Sequence, residues 1–287
     1  MRSSRLPLAL LATTLVFSRV GASEPAAPEM LKVPGGTFTM GADGVGESDE
    51  QPAHAVHVKG FWLDRTEVTN AAYLECVHAG KCAPFRDDVA RRFGAGPDEA
   101  FRAGEQPVVG ISAIDAGNYC AFRGKRLPRE AEWERATRGD DNRTFAWGNQ
   151  RPTPELACYG RKVGAKGATT DPVGSHPQGA GPYGHLDLTG NVWEWTADLY
   201  DPYAYRRSGA SEGTPGSCAE ILETQNHLRK TKQQGFTGRN PIPTVCERVL
   251  RGGAFNYDAA GLRASNRVHH PENWKILVAG FRCAKDE

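Results

Sequence analysis

The chain has 287 residues, room for one large domain or two small ones. Its 35 Lys plus Arg nearly balance 34 Asp plus Glu, leaving a formal net charge of +1. That balance excludes the broad basic field of a nucleic-acid-binding surface, so no nucleic-acid partner is expected.

At the start, Arg2 and Arg5 precede an apolar run from Leu6 to Phe17, and Val20-Gly21-Ala22 supplies small residues for a signal peptidase. The run is too short to span a bilayer comfortably. Residues 1–22 are therefore read as a signal peptide cleaved after Ala22, residues 23–30 as a linker and 31–287 as one globular domain. No later run reaches transmembrane length, so no span is expected after cleavage, and a periplasmic or secreted location follows. Seven cysteines suit an oxidising compartment, where most should pair and at least one is left over.

With 33 Gly and 19 Pro spread along the chain, many turns, short strands and few helices are expected. Strand candidates are Gly36–Met40, Ala55–Leu63, Arg248–Phe255 and Gly280–Cys283. A first helix follows Thr69 as N-cap and runs from Asn70 to His78, with Tyr73, Leu74 and Val77 as its apolar stripe and Gly80 as its stop. A second follows Ser112, with Asp115 completing a capping-box variant, and runs to Phe122. A third starts near Pro128, carries Glu130 and Glu132 in its first turn and ends at Gly139. The polar stretch Tyr200–Thr244 is weakly periodic and reads as a long loop or insertion carrying Cys218 and Cys246.

Several segments together resemble one family. They are Val33-Pro34-Gly35-Gly36-Thr37-Phe38, the run from Phe61 to Asn70, the second and third helices with Gly124-Lys125-Arg126-Leu127-Pro128 between them, and Phe145-Ala146-Trp147-Gly148-Asn149. Gly184 to Trp195, Arg248 to Gly253 and Gly280-Phe281-Arg282-Cys283 complete the set. They are similar to the formylglycine-generating-enzyme, or sulfatase-modifying-factor, superfamily. The resemblance implies a single α+β domain of C-type-lectin-like topology with little regular secondary structure.

Active members of that superfamily oxidise a substrate cysteine to formylglycine with copper held by two cysteines, five residues apart, shortly after a Gly-Gly turn. Soft Cu(I) demands such thiolates. Counting from Gly252-Gly253 puts Tyr257 and Leu262 at those positions, and no cysteine lies between Cys246 and Cys283. Copper is therefore not expected, and Tyr257, Leu262 and Arg263 become the candidate pocket. Neighbouring histidines offer no replacement pair: His269 and His270 are adjacent on extended chain, and His54 and His57 are three apart on a strand, so each pair faces opposite ways. The His-x-x-x-His-x-Glu run of related iron enzymes is absent, as are Gly-x-Ser-x-Gly and a P-loop.

The resemblance implies a Cys120–Cys283 bridge. Its second bridge falls on Ala136 and Ser265, so both halves are missing together. Cys76–Cys82 would clip a short loop and Cys218–Cys246 would pin the insertion. Cys158, beside Arg161 and Lys162, is then the odd thiol and reads as structural. Thr189-Gly190-Asn191-Val192-Trp193-Glu194 resembles the family's calcium loop, with carbonyls of Thr189, Gly190 and Val192 and the Glu194 carboxylate as ligands; the competing reading makes Glu194 a core salt-bridge partner. The family's other calcium site needs Asn and Asp around residues 158–172, where this chain departs from the pattern. Two functions follow: a binding or accessory module for a protein, peptide or small molecule, with Tyr200–Thr244 as recognition surface, or a divergent oxidoreductase using Tyr257.

Overall fold

Thr69 sits in extended conformation and its hydroxyl accepts the Ala72 N–H, which starts α1 (Asn70–His78). Gly80, at φ +67°, ends it. The face that α1 buries is Ala72, Tyr73 and Cys76, not Leu74 and Val77, because Cys76 is bridged inward to Cys82. These and the following elements come from a computed structural model describing residues 28–86, 88, 98–163, 165, 168–206, 217–231 and 245–287. The signal-peptide and most of the linker assignments fall outside the described residues, as do 207–216 and 232–244 of the insertion.

The nine strands among the described residues form three small sheets. β1 (Met30–Val33), β4 (Phe61–Asp64) and β9 (Ala284–Asp286) make one, with β4 central. β2 (Gly36–Met40) pairs with β3 (His54–Val58) in a second. The third runs β7 (Val268–Pro271), β6 (Glu247–Arg251), β5 (Trp193–Leu199), β8 (Ala279–Gly280), antiparallel except for the β5–β8 pair. The expected strand Ala55–Leu63 is two strands, since Val58 pairs with Gly36 in one sheet and Phe61 with Val33 in another. The crossover is tight: a Cβ on Gly35 would stand 2.7 Å from the Gly60 nitrogen.

The second expected helix is α2 (Ala113–Phe122), closed by reciprocal Ser112 and Asp115 bonds. Its Cys120 is bridged to Cys283, so α2 is tied to the chain's last segment. Tyr73, Tyr119 and Phe281 pack there, the last edge-on to both tyrosines. The third helix, α3 (Glu130–Arg138), starts two residues after Pro128, where the Arg129 N–H donates to Glu132 Oε2 at 2.8 Å.

Every residue of α3 is buried, although five of its nine are charged. Arg251, at the end of β6, donates to Glu130 Oε1 at 3.1 Å and to Glu134 Oε2. Arg267 binds both Glu130 oxygens at 2.7 and 3.0 Å, and Arg138 reaches Glu134 Oε1 at 2.9 Å. Asp198 of β5 accepts the Glu130 N–H at 2.6 Å. Burial, with the Glu130 charge beside it, raises the Asp198 carboxyl to about 7. β5 was not expected as a strand, because both its faces are covered: Glu194, Thr196 and Asp198 are buried as fully as the tryptophans.

Three more expectations are corrected. Gly280–Cys283 is not one strand: Phe281 to Cys283 bond sideways to the 64–68 segment, which separates β8 from β9. Arg248–Phe255 ends as a strand at Arg251, where the Gly-Gly turn begins. The Tyr200–Thr244 stretch contains α4 (Cys218–Thr231), whose Ser217 and Glu220 bond reciprocally as a capping box, and Cys218 is bridged to Cys246.

Candidate functional site at the Tyr257 turn

The site grows from the turn that follows β6. Gly252 and Gly253 adopt φ of +103° and +80°, and a Cβ on Gly253 would come within 2.5 Å of Leu262 Cδ2, so the chain can double back only through glycine. The Phe255 N–H then donates to the Asn191 carbonyl, and the Tyr257 carbonyl accepts from Gly160 N–H, both at 2.8 Å. Asp258 caps a short 3-10 turn, Ala259–Leu262, by accepting from Ala260 and Gly261.

This geometry separates the three candidate residues. The Tyr257 ring stands edge-on to Trp193, with centroids 5.2 Å apart, and burial raises its hydroxyl above the ordinary phenol range. Leu262 is fully buried and lines neither of the two cavities beside Tyr257, because the turn folds it inward against Gly253. Arg263 is held by Glu50 Oε1 at 2.6 Å and by the Ala260 carbonyl at 2.6 Å.

Two cavities meet here. The larger, about 690 Å³, has Asn256, Tyr257, His270, Trp274, Ile276 and Val278 among its lining. The smaller, about 430 Å³, is more polar and includes Asp49, Tyr200, Tyr257, Arg263, Arg267 and His270. Tyr257 and His270 line both. As alternation along β7 requires, His269 and His270 part company. His269 stacks on Tyr200 at 3.7 Å and bonds Glu247, while His270 stacks on Trp274 at 5.5 Å. Burial, and then His269 beside it, lowers the basicity of His270. Asn256 Oδ1 is buried without a hydrogen-bond partner, which costs on the order of 1–3 kcal/mol when left unmet. The sequence reading missed Trp274 and Asn256; the signal available was a tryptophan set in the polar run Glu272-Asn273-Trp274-Lys275, an odd place for a core residue.

Behind the turn lies the loop expected to hold calcium. Asn191, at φ 56°, accepts the Asp171 N–H and donates to Glu67 Oε1, each at 3.0 Å. Glu194 gives both oxygens to Arg282, at 2.7 and 2.8 Å, and one of them also to Trp133 Nε1 at 2.9 Å. Its carboxylate is thus a core salt-bridge partner. Thr189 uses its hydroxyl to accept the Ala146 N–H, and the Gly190 N–H donates to Gly252. Among the described residues no three His, Cys, Asp or Glu side chains converge as a metal-holding group. Burial raises the carboxyls of Glu67 and Asp187, and Asp187 raises Glu67 further. Glu67, Asp187 and Glu194 gather around Arg282, oxygen donors of the kind calcium takes, with Glu194 already engaged.

In the 158–172 segment, Arg161 makes a bidentate pair with Asp171, at 2.8 and 2.6 Å, and reaches the Thr169 carbonyl at 2.6 Å. A guanidinium therefore already neutralises the one carboxylate of that segment, which does not fit a second calcium ion. Cys158 is buried there, and among the described residues it is the free cysteine. Burial, then Asp171, push its thiol far above the ordinary range, which makes it a poor nucleophile at neutral pH.

Comparison with known proteins matches this architecture. Residues 16–287 match the family described as Sulfatase-modifying factor enzyme 1-like domain. The chain is 36% identical over 240 residues to the inactive C-alpha-formylglycine-generating enzyme 2 of Mus musculus, covering 69% of this chain and 78% of that one. It is 33% identical to the hercynine oxygenase of Mycolicibacterium smegmatis, covering 88% of this chain but only 60% of that protein's length. Among solved structures, PvdO from Pseudomonas aeruginosa superposes with a TM-score of 0.64 at 25% identity, over 91% of this chain and 95% of that one.

Proposed function

The chain belongs to the sulfatase-modifying-factor family, and we propose that it serves as an exported binding or accessory module without copper-dependent formylglycine synthesis. One observation carries this reading. The two positions at which the family's chemistry needs thiolates hold a phenol, Tyr257, and a buried alkyl chain, Leu262, and neither can ligate Cu(I). The cavities remaining beside Tyr257 supply a place to bind. Three disulfides, Cys76–Cys82, Cys120–Cys283 and Cys218–Cys246, are at home in an oxidising compartment and support a periplasmic or secreted location. Similarity to a relative named inactive supports the loss of activity.

The second reading, a divergent oxidoreductase maturing a secreted peptide or metabolite, draws on similarity to a protein named as an oxygenase. Oxygen uptake by copper-loaded protein with a cysteine-containing sulfatase peptide separates the two. No uptake and an unmodified peptide are expected; formylglycine in the peptide overturns the binding reading. Calcium belongs to the same proposal as a structural ion at Thr189, Gly190, Val192 and Glu194, supported by the likeness of that loop to the family's. Calorimetry on chelator-treated protein is expected to register one calcium site, and a flat titration removes it.

A further inference from the structure

The larger cavity has features that specify a ligand beyond the bare capacity to bind. Trp274 is 54% exposed, yet its ring is not loose. His270 stacks beneath it at an interplanar angle of 20°, and the backbone N–H of Trp274 closes a turn onto the Pro271 carbonyl at 2.9 Å. The neighbouring Lys275 is drawn away, its Nζ donating to the Pro84 carbonyl at 2.9 Å and pairing with Asp115 at 3.3 Å. One indole face is therefore fixed and bare beside an apolar floor of Ile276, Leu277 and Val278. A single exposed aromatic is ordinary. Here it adjoins a cavity of about 690 Å³, inside the range of small-molecule sites. Asn256, also among the lining, keeps a buried amide oxygen that no protein group satisfies.

An aromatic face favours a second planar ring, and an unmet acceptor favours an N–H or O–H on that ring. We propose that the cavity binds a small molecule with a planar aromatic ring bearing a hydrogen-bond donor, stacked on Trp274 and donating to Asn256 Oδ1. The smaller cavity across Tyr257 and His270, with Asp258, Arg263 and Asn266, receives the ligand's polar extension. This proposal rests on the binding-module reading and deepens it.

Calorimetry of the full chain with indole, N-methylindole and cyclohexanol tests it. Indole saturates one site, N-methylindole binds about tenfold more weakly because it leaves Asn256 unmet, and cyclohexanol does not bind measurably. Trp274→Ala, at an exposed position, weakens indole by about tenfold, and Asn256→Leu abolishes the preference over N-methylindole. Equal affinity for indole and N-methylindole, or an unchanged Trp274→Ala, overturns the proposal, and the first comparison needs no variant. Tighter binding of acetyl-Gly-Trp-Gly-amide than of indole overturns the small-molecule assignment. The formylglycine assay is independent, so a chain that binds no indole and makes no formylglycine loses this inference alone.

Discussion

Two regions share the β6 strand and its exit, and they differ in what surrounds their polar groups. At Arg251 the chain enters a dry core in which Glu130, Glu134, Arg138, Arg251 and Arg267 hold one another in place. At Asn256 and Tyr257 it borders open cavities, with an amide oxygen unmet and a tryptophan face bare. The first region is crowded with paired charge, and only its Arg267 reaches the smaller cavity; the second opens on the larger cavity, whose floor is apolar. Scaffold and site have thus been divided within a few residues of one another, which explains how the fold survives when the thiolates of its relatives are absent.

That contrast can be pressed experimentally. The bridge Cys120–Cys283, closing 163 residues, sets the scale: replacing both by alanine is expected to cost about 4–5 kcal/mol in the loop-entropy account, read by denaturant unfolding. Glu134→Ala, which removes the carboxylate partner of Arg138 and one of the two carboxylate partners of Arg251, should cost about 3–5 kcal/mol; a loss below about 1 kcal/mol would mean that the charged core is not holding the fold. Asp198 gives a pH signature. Its folded carboxyl is raised to about 7, so the folded state holds a proton that the unfolded state has released. Its contribution is complete below about pH 4 and is lost as pH rises through 7, a fall on the order of 4 kcal/mol. Asp198→Asn should show a flatter stability profile over that window, and an unchanged slope would place the titration elsewhere. Smallest of all, Tyr257→Phe should alter stability by less than about 1 kcal/mol, since its ring packing survives. A loss as large as that of Glu134→Ala would erase the distinction between the two regions.

Much of the scaffold was readable beforehand. Thr69, Ser112 and Gly139 punctuate helices by local rules, and α1 and α2 begin where their caps stand. The third sheet was harder. The pattern Trp-Glu-Trp-Thr-Ala-Asp-Leu of β5 was not expected as a strand; α3 covers its polar face and pairs with those groups, in contacts 61 and 68 residues apart along the chain. α4 hid in a polar stretch, though Ser217 and Glu220 carried its capping signature. At the site, the vacated thiolate positions could be counted from Gly252-Gly253. Trp274 and Asn256 could not, because nothing local says which side chain will meet a cavity and which a partner.

The Cys218–Cys246 bridge has a topological consequence. It joins the first residue of α4 to the residue before β6, with Cα atoms 5.8 Å apart at a sequence separation of 28. The intervening chain is therefore a closed covalent ring set into the polypeptide. A protease that cuts within it leaves one molecule, not two, until a reductant opens the bridge. The same closure makes the ring a cassette: its contents can be exchanged for another sequence while the two ends stay fixed against the fold.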